Sequence, residues 1–363
     1  VAGGIAINGL NGAPADISER TLHEIFFPPF IDAINAGVFT IMPAHNEING
    51  IPCHAHGEYL TDLIRKKWGF SGFYVSDWMD IERLHSVHRI AATEKEADTI
   101  AVNAGLDVHM HGPKFFDYVK EAVNEGKIPL ARIDEAASKI LYAKFQLGLF
   151  ENRYVDPARI EKTLLKQEHR DLALDGARKS IVLLKNEKKL LPLRKNLGSV
   201  FITGPNADNQ AILGDWSRLQ PDDNVTTVLE GIRRAVSPQT RVDYLESPSY
   251  HTMSAELLAQ AKQRASQADV AVVVVGENSI RTNNEKTSGE NLDRATLELA
   301  GQQLALVQAV ESAGKPVVVV LVNGAPIASE WTVANTEAIL EAWEPGMYGG
   351  QAVAEVLFGD YNP

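Results

Sequence analysis

The sequence predicts an α/β protein of two domains built on parallel strands, and three observations carry that prediction. At 363 residues the chain is too long for one ordinary core. Before residue 150, strand-forming and helix-forming stretches alternate, which is the pattern of parallel β/α units. After residue 180 the strands are near-continuous apolar runs, as expected for strands covered by helices on both faces.

In chain order, residues 18–36 predict a helix capped by Ser18, bent at Pro28-Pro29 and ended by Gly37. A strand at 38–42 follows, then a helix at 58–68, then a strand that ends at Asp77. Residues 93–103 predict a helix, with Glu94 and Glu96 at the positive end of its dipole. Residues 106–110 read as a third strand, and 115–124 and 132–145 as amphipathic helices. The polar, strandless stretch 151–170 reads as a linker between a first domain, 1–150, and a second, 171–363. In the second domain, strands are expected at 181–186, 199–204, 270–276 and 316–324, with helices at 255–266 and 295–313. The glycines of VAGGIAINGLNGAP read as loop, and there is no internal repeat.

Composition removes several function classes. A net charge of −12 with no offsetting basic face opposes nucleic-acid binding. No apolar run approaches the roughly 18 residues that span a bilayer. Cys53 is the only cysteine, so no internal disulfide forms. No basic start followed by an apolar stretch marks a signal peptide.

The most informative segment is GFYVSDW at 72–78. A strand buried in a parallel sheet presents Asp77 at its carboxyl end, where α/β folds build their sites. The plain alternative is that Asp77 caps the following helix.

KKWGFSGFYVSDW (66–78), preceded by MPAHNEINGIPCHAHGEYLTDLIR (42–65), resembles the nucleophile region of glycoside hydrolase family 3, the β-glucosidase and β-xylosidase family. KSIVLLKNEKKLLPL, GPNADNQAILGDW, VTTVLEGI, GKPVVVVLVNG and FGDYNP resemble further family segments, in the family's order. The resemblance implies an incomplete (β/α)8 TIM-type barrel followed by a three-layer α/β/α sandwich. It implies a retaining, exo-acting hydrolase of β-linked oligosaccharides or β-glucosides that needs no cofactor and no metal. By the family's motif Asp77 is the nucleophile, and Trp78, His45 and Trp216 are expected to border the sugar.

Cleavage with retention needs a second carboxyl group about 5–5.5 Å from the first. The polar loop ENSIRTNNEKTSGENLDR (277–294) offers Glu277, Glu285 and Glu290. Ser-Gly-Glu-Asn-Leu-Asp-Arg at 288–294 most resembles the family's acid/base motif, which selects Glu290, with Glu285 as the alternative. Glu277, at the strand end, reads as a supporting acceptor.

The family's Lys-His pair and Arg that hold sugar hydroxyls should lie before residue 17, yet residues 1–16 contain no Lys, His or Arg. With Val1 at the start and FGDYNP at the end, the chain is expected to be part of a longer protein. Family resemblance implies a periplasmic or secreted enzyme, and nothing in the sequence opposes a homo-oligomer. Two rivals remain. The His54-Ala55-His56 and His109-Met110-His111 steps could belong to a metal-dependent hydrolase. The chain could also be a non-catalytic carbohydrate-binding relic. Acid/base chemistry by an Asp-His pair usually goes with loss of the second domain, so its presence favours a glucosidase, with xylosidase as the alternative.

Overall fold

A computed structural model describes residues 6, 7, 10, 12–292 and 294–363, so part of the glycine-rich start lies outside the described residues. The chain divides into two compact units, Val1–Pro157 and Ala158–Pro363.

The first unit is an arc of a β/α barrel. Strand β1 (Pro14–Ala15) pairs in parallel with β3 (Glu47–Ile48), which turns back antiparallel into β4 (Ile51–Pro52). That hairpin turns on Asn49 and Gly50, both at positive φ (51° and 85°), the backbone a two-residue Asn-Gly turn requires. β2 (Thr40–Ile41) pairs in parallel with β5 (Phe73–Tyr74), and a parallel bridge joins Val75 to Val108. The expected strand at 106–110 is thus reduced to one rung. Asp107 explains the reduction: its buried carboxylate accepts the Tyr74 N–H and faces Arg65 and Arg132, so it works as a polar tie within the core.

Local signals set most helix ends. Ser18 Oγ accepts the Thr21 N–H at 3.1 Å, as a cap should. The expected helix 18–36 divides into Glu19–Thr21, a wide-turned stretch Leu22–Phe26 and Pro28–Asn35, with the prolines opening the last piece. Glu58–Lys67 is also wide-turned and closes with Trp68 N–H on Leu63 O. Glu94–Ala104 begins under Thr93, whose Oγ1 accepts the Glu96 N–H at 3.2 Å, and ends at left-handed Gly105. Phe115–Asn124 matches its expected span, and Leu130–Gln146 slightly exceeds the expected 132–145.

The second unit is the three-layer sandwich. Its strands are β6 (Val182–Asn186), β7 (Ser199–Thr203), β8 (Arg241–Leu245), β9 (Val270–Gly276), β10 (Val317–Val322) and β11 (Ala338–Glu341), in the order β6-β11-β10-β9-β7-β8. Alternate residues of the central strands enter two separate cores. Val200, Ile202, Val272, Val274, Val318 and Val320 pack with helices Val228–Ala235 and Gly349–Phe358. Phe201, Ala271, Val273, Val275, Val319 and Leu321 pack with Ala255–Ser266 and Gln303–Glu311. Each buried Val, Ile, Leu or Phe side chain among them contributes about 1.5–3 kcal/mol, so the apolar runs persist because neither face meets water.

Two expectations need correction here. β6 is not a doubly covered parallel strand: it is an antiparallel edge, with Val182 45% and Leu184 56% exposed. The helix expected at 295–313 begins only at Gln303, whose buried amide grips both the N–H and the C=O of Gly276 at 2.9 Å. Within the stretch expected to be linker lie a short helix, Arg159–Thr163, and the first turn of Gln167–Ser180. Among the described residues no helix is long and apolar enough to cross a membrane.

From β7 the chain passes to β8 on one side and then returns to β9 on the other. The direction of winding therefore reverses between β7 and β9, and open α/β sheets form their binding crevice outside the strand ends at such a reversal. Gly204 and Gly276 release the two loops there. Both have positive φ, and a Cβ would lie 2.1 Å from Val274 O and 2.0 Å from Val322 O respectively.

Candidate active site

In the first unit, pairing stops at Val75, and Ser76 N–H closes on Val108 O at 2.8 Å. Asp77 therefore emerges just past the strand end, with 29% of its side chain exposed. Its Oδ1 accepts the Trp78 N–H at 2.6 Å, and the next helix, Asp80–Ser86, has Met79 at its cap position. Asp77 is accordingly not the side-chain cap of that helix, which removes the plain alternative.

Two histidines and an acid surround it. Asp77 Oδ2 lies 3.0 Å from His45 Nε2, and the Asp77 N–H donates to His54 Nε2 at 3.1 Å. Burial, reinforced by His45, His109 and His88, pushes His54 down to about 3, so its ring is neutral. With Nε2 accepting, the proton sits on Nδ1, which faces Asp80 Oδ2 at 3.4 Å. Asp80 is buried beneath, its Oδ1 2.7 Å from His45 Nδ1 and 3.0 Å from Arg83 Nη1. Burial pushes the Asp80 carboxyl up, and His45 and Arg83 oppose this without cancelling it.

His45, expected to line the sugar pocket, is 15% exposed and has each ring nitrogen on a carboxyl group. Among the described residues, His45, Asp77 and Asp80 are close enough together to hold a metal ion. The imidazole, however, turns opposite nitrogens to the two acids, and the Arg83 guanidinium supplies positive charge 3.0 Å from both Asp80 Oδ1 and His45 Nδ1. The two His-x-His steps are occupied separately. His56 stacks on Tyr59, while His109 Nε2 and His111 Nδ1 rest on the two oxygens of Glu82 at 2.8 and 2.7 Å. Trp78 is 54% exposed, with its ring 4.6 Å from that of His111. Burial pushes the Cys53 thiol up to about 11, which keeps it protonated and unsuited to nucleophilic attack.

In the second unit, the loops after β7 and β9 meet at the reversal of winding, and the three glutamates part company. Glu277 is wholly buried: Oε2 accepts the N–H groups of Gly324 and Ala325 at 3.1 Å, and Oε1 faces Arg294 at 2.6 Å. Glu285 Oε2 accepts from Ser249 Oγ at 2.9 Å and Tyr250 N–H at 3.2 Å. Glu290 differs in taking an aromatic donor together with a cation. Trp216 Nε1 donates to its Oε2 at 3.0 Å and Arg281 pairs with the same oxygen. Arg281 lies 3.5 Å over the Trp216 ring, a cation–π contact, and Trp216 is 71% exposed.

Asp215 organises this group. Its Oδ2 accepts the Glu290 N–H at 2.7 Å, and its Oδ1 accepts the Trp216 N–H at 2.8 Å and faces Arg281 Nε at 3.2 Å. Burial pushes Asp215 up, but the N–H groups of Glu290 and Trp216, with Lys286 and Arg281, outweigh it and hold the carboxyl below its usual range. A cavity of about 350 Å³ adjoins, with Asp215, Glu277, Ser279, Arg294 and Glu344 among its lining residues. Asp293, part of the expected Asp-Arg pair, lies outside the described residues.

The sequence reading missed Asp80, Arg83, Asp215 and Arg281, and named His54 only as part of a His-x-His step. Asp77, Asp80 and Arg83 recur at three-residue spacing, a usable signal for one helical face. The Asp215–Glu290 tie spans 75 residues and leaves no local trace.

Comparison with known proteins agrees with this architecture. The profile of the Glycosyl hydrolase family 3 C-terminal domain matches residues 181–363, and that of the Glycosyl hydrolase family 3 N terminal domain matches residues 3–143. A beta-xylosidase of Formosa agariphila is 38% identical over 98% of this chain and 50% of that protein. A periplasmic beta-glucosidase of Salmonella typhimurium is 34% identical over 96% of this chain and 48% of that protein. The crystal structure of a beta-glucosidase from Listeria innocua in complex with glucose superposes with a TM-score of 0.90 at 32% identity, covering 99% of this chain and 48% of that one. The chain thus spans about half the length of the relatives it matches, and it belongs to glycosyl hydrolase family 3.

Proposed function

We propose that the chain supplies both reactive carboxylates of a retaining, exo-acting β-glycosidase that removes terminal β-D-glucosyl residues. Asp77 is the nucleophile. It stands at a strand end, partly exposed, with donors already on its oxygens, which is what an ionised attacking carboxylate needs. Glu290 is the acid/base. The observation that carries this is the separation of the three loop glutamates: Glu277 and Glu285 are committed to backbone N–H groups, whereas the Trp216 and Arg281 side chains meet the Glu290 carboxylate at a half-open site. Trp78 and Trp216 offer exposed aromatic faces for sugar C–H groups. A β-xylosidase is the second reading, supported by the beta-xylosidase relative at 38% identity.

A 2-fluoro-glucoside with a good leaving group should trap the full-length enzyme on the peptide containing Asp77. Glu290→Ala should slow cellobiose hydrolysis by about a hundredfold more than dinitrophenyl glucoside hydrolysis, since an activated phenolate departs without a proton. A label on another carboxylate retires the nucleophile. The same leaving-group pattern in Glu285→Ala, and not in Glu290→Ala, transfers the acid/base role to Glu285. Rates on nitrophenyl glucoside and xyloside decide the sugar.

A further inference from the structure

Asp80 takes no part in the reaction outlined above, yet it is one of the most deeply buried acids of the first unit, its side chain 2% exposed. A buried acid is costly unless it is paired, so its partners indicate its role. Those partners are His45, Arg83 and His54, with Asp77 and Cys53 also near enough to act on its charge. The decisive feature is that one imidazole bridges two carboxyl groups: His45 Nδ1 is 2.7 Å from Asp80 Oδ1, and Nε2 is 3.0 Å from Asp77 Oδ2.

Two such contacts need two protons. Either the ring is an imidazolium between two carboxylates, or it is neutral, with Nε2–H toward Asp77 and Nδ1 accepting from protonated Asp80. The burial that pushes Asp80 up makes the second arrangement accessible as well as the first. In both, the nitrogen facing Asp77 is a donor. Arg83 Nη1, 3.0 Å from both His45 Nδ1 and Asp80 Oδ1, is itself held in place by Asp80. Without Asp80 both groups facing Nδ1 are released, and the ring is free to carry its single proton there and turn a lone pair toward Asp77.

We infer that Asp80 is a positioning residue which, through His45, keeps an N–H on Asp77 and so assists the departure of Asp77 from the sugar in the second half of the reaction. The inference rests on reading Asp77 as the nucleophile. In the first step an Asp77 oxygen bonds to C1, the bond from C1 to the aglycone oxygen breaks, and that oxygen takes the proton of Glu290. In the second, water bonds to C1 and gives a proton to Glu290, while the C1–O bond to Asp77 breaks and its electron pair returns to the carboxylate. The ester is neutral and the departing carboxylate charged, so a donor on its oxygen strengthens as the second transition state forms. In the first step that donor must weaken, so losing it harms the second step selectively.

The test is Asp80→Leu in the full-length enzyme, with Asp80→Asn as the conservative variant and dinitrophenyl glucoside as substrate. In Asp80→Leu, kcat should fall about ten- to a hundredfold, the worth of one charge-assisted hydrogen bond, with KM falling in parallel. The kcat/KM should hold within about threefold, because glycosylation is spared. A burst of one equivalent of dinitrophenolate should appear, azide should restore turnover by attacking the trapped glycosyl-enzyme, and Asp80→Asn should lie between Leu and parent. A fall in kcat/KM with no burst means Asp80 only packs, and overturns the inference. A 2-fluoro label away from Asp77 is a different outcome, which removes the underlying reading instead. Should the Leu variant fail to fold, ¹⁵N spectra of His45 in the parent decide: Nε2 should stay protonated, and a lone pair on Nε2 overturns the inference.

Discussion

Asp98 should make the first unit lose stability as pH rises, and Asp98→Asn should cancel that loss. Asp98 lies on helix Glu94–Ala104 and is 5% exposed, with Oδ1 3.8 Å from His109 Nδ1. Burial, reinforced by the nearby Glu82 and Glu94 carboxylates, moves it from 3.8 to about 7. Between those two values the folded protein holds a proton that the unfolded chain has released. Raising the pH therefore favours unfolding: the effect is absent below pH about 4 and complete above pH about 7. Linkage sets its size, because a displacement from 3.8 to about 7 costs the folded state about 4 kcal/mol once pH exceeds both values. Asn is close in shape and does not titrate. Urea unfolding of parent and variant should give nearly equal stabilities at pH about 4 and a gain of about 4 kcal/mol for the variant at pH about 8. A difference that does not change with pH, or a variant less stable at alkaline pH, refutes the reasoning.

Glu277→Gln should lower the unfolding free energy of the second unit by about 3–5 kcal/mol, because Arg294 loses the buried carboxylate it faces; calorimetry checks this, and a loss under about 1 kcal/mol contradicts the structural role. Phe201→Ala should cost about 3–5 kcal/mol, since its side chain is fully enclosed between sheet and helices. Leu184→Ala, on the exposed face of the edge strand, should cost about 1 kcal/mol or less by the same measurement.

How far the sequence carried depended on how far each signal lay along the chain. The runs at Val270–Gly276 and Val317–Val322 were legible because strands covered on both faces exclude polar residues altogether. β8 escaped notice: Arg241-Val-Asp-Tyr-Leu alternates like a half-exposed edge, which is what it is. β6 misled because Val182 and Leu184 are apolar although solvent-facing, and apolarity alone does not report which face is covered. The hairpin at Asn49-Gly50 carries its signal in that dipeptide alone, between strands of only two residues each. Asp77 could be singled out because strand, terminal acid and aromatic lie within seven residues. The contacts that His45, His54 and Asp80 make around it could not be read, since they arise only after Thr40–Ile41 and Phe73–Tyr74 pair.

The two units anchor their candidate reactive carboxylates by the same physical device. A carboxylate that must move little during reaction needs its plane fixed by directional contacts, and a backbone N–H or a locked ring fixes it better than a mobile lysine. In the first unit a buried acid, Asp80, orients His45, and the ring holds Asp77. In the second, Asp215 takes the backbone N–H of Glu290 itself and places Arg281 and Trp216 around its side chain. Each support is an acid whose own charge is offset by a guanidinium, Arg83 in one case and Arg281 in the other. The difference lies in what is held. Asp77 is gripped at its carboxylate oxygens, which suits a group that must return to one position after each ester forms and breaks. Glu290, the proposed acid/base, is gripped at its backbone, and the Arg281 and Trp216 side chains that meet its carboxylate are 34% and 71% exposed, an arrangement suited to exchanging a proton.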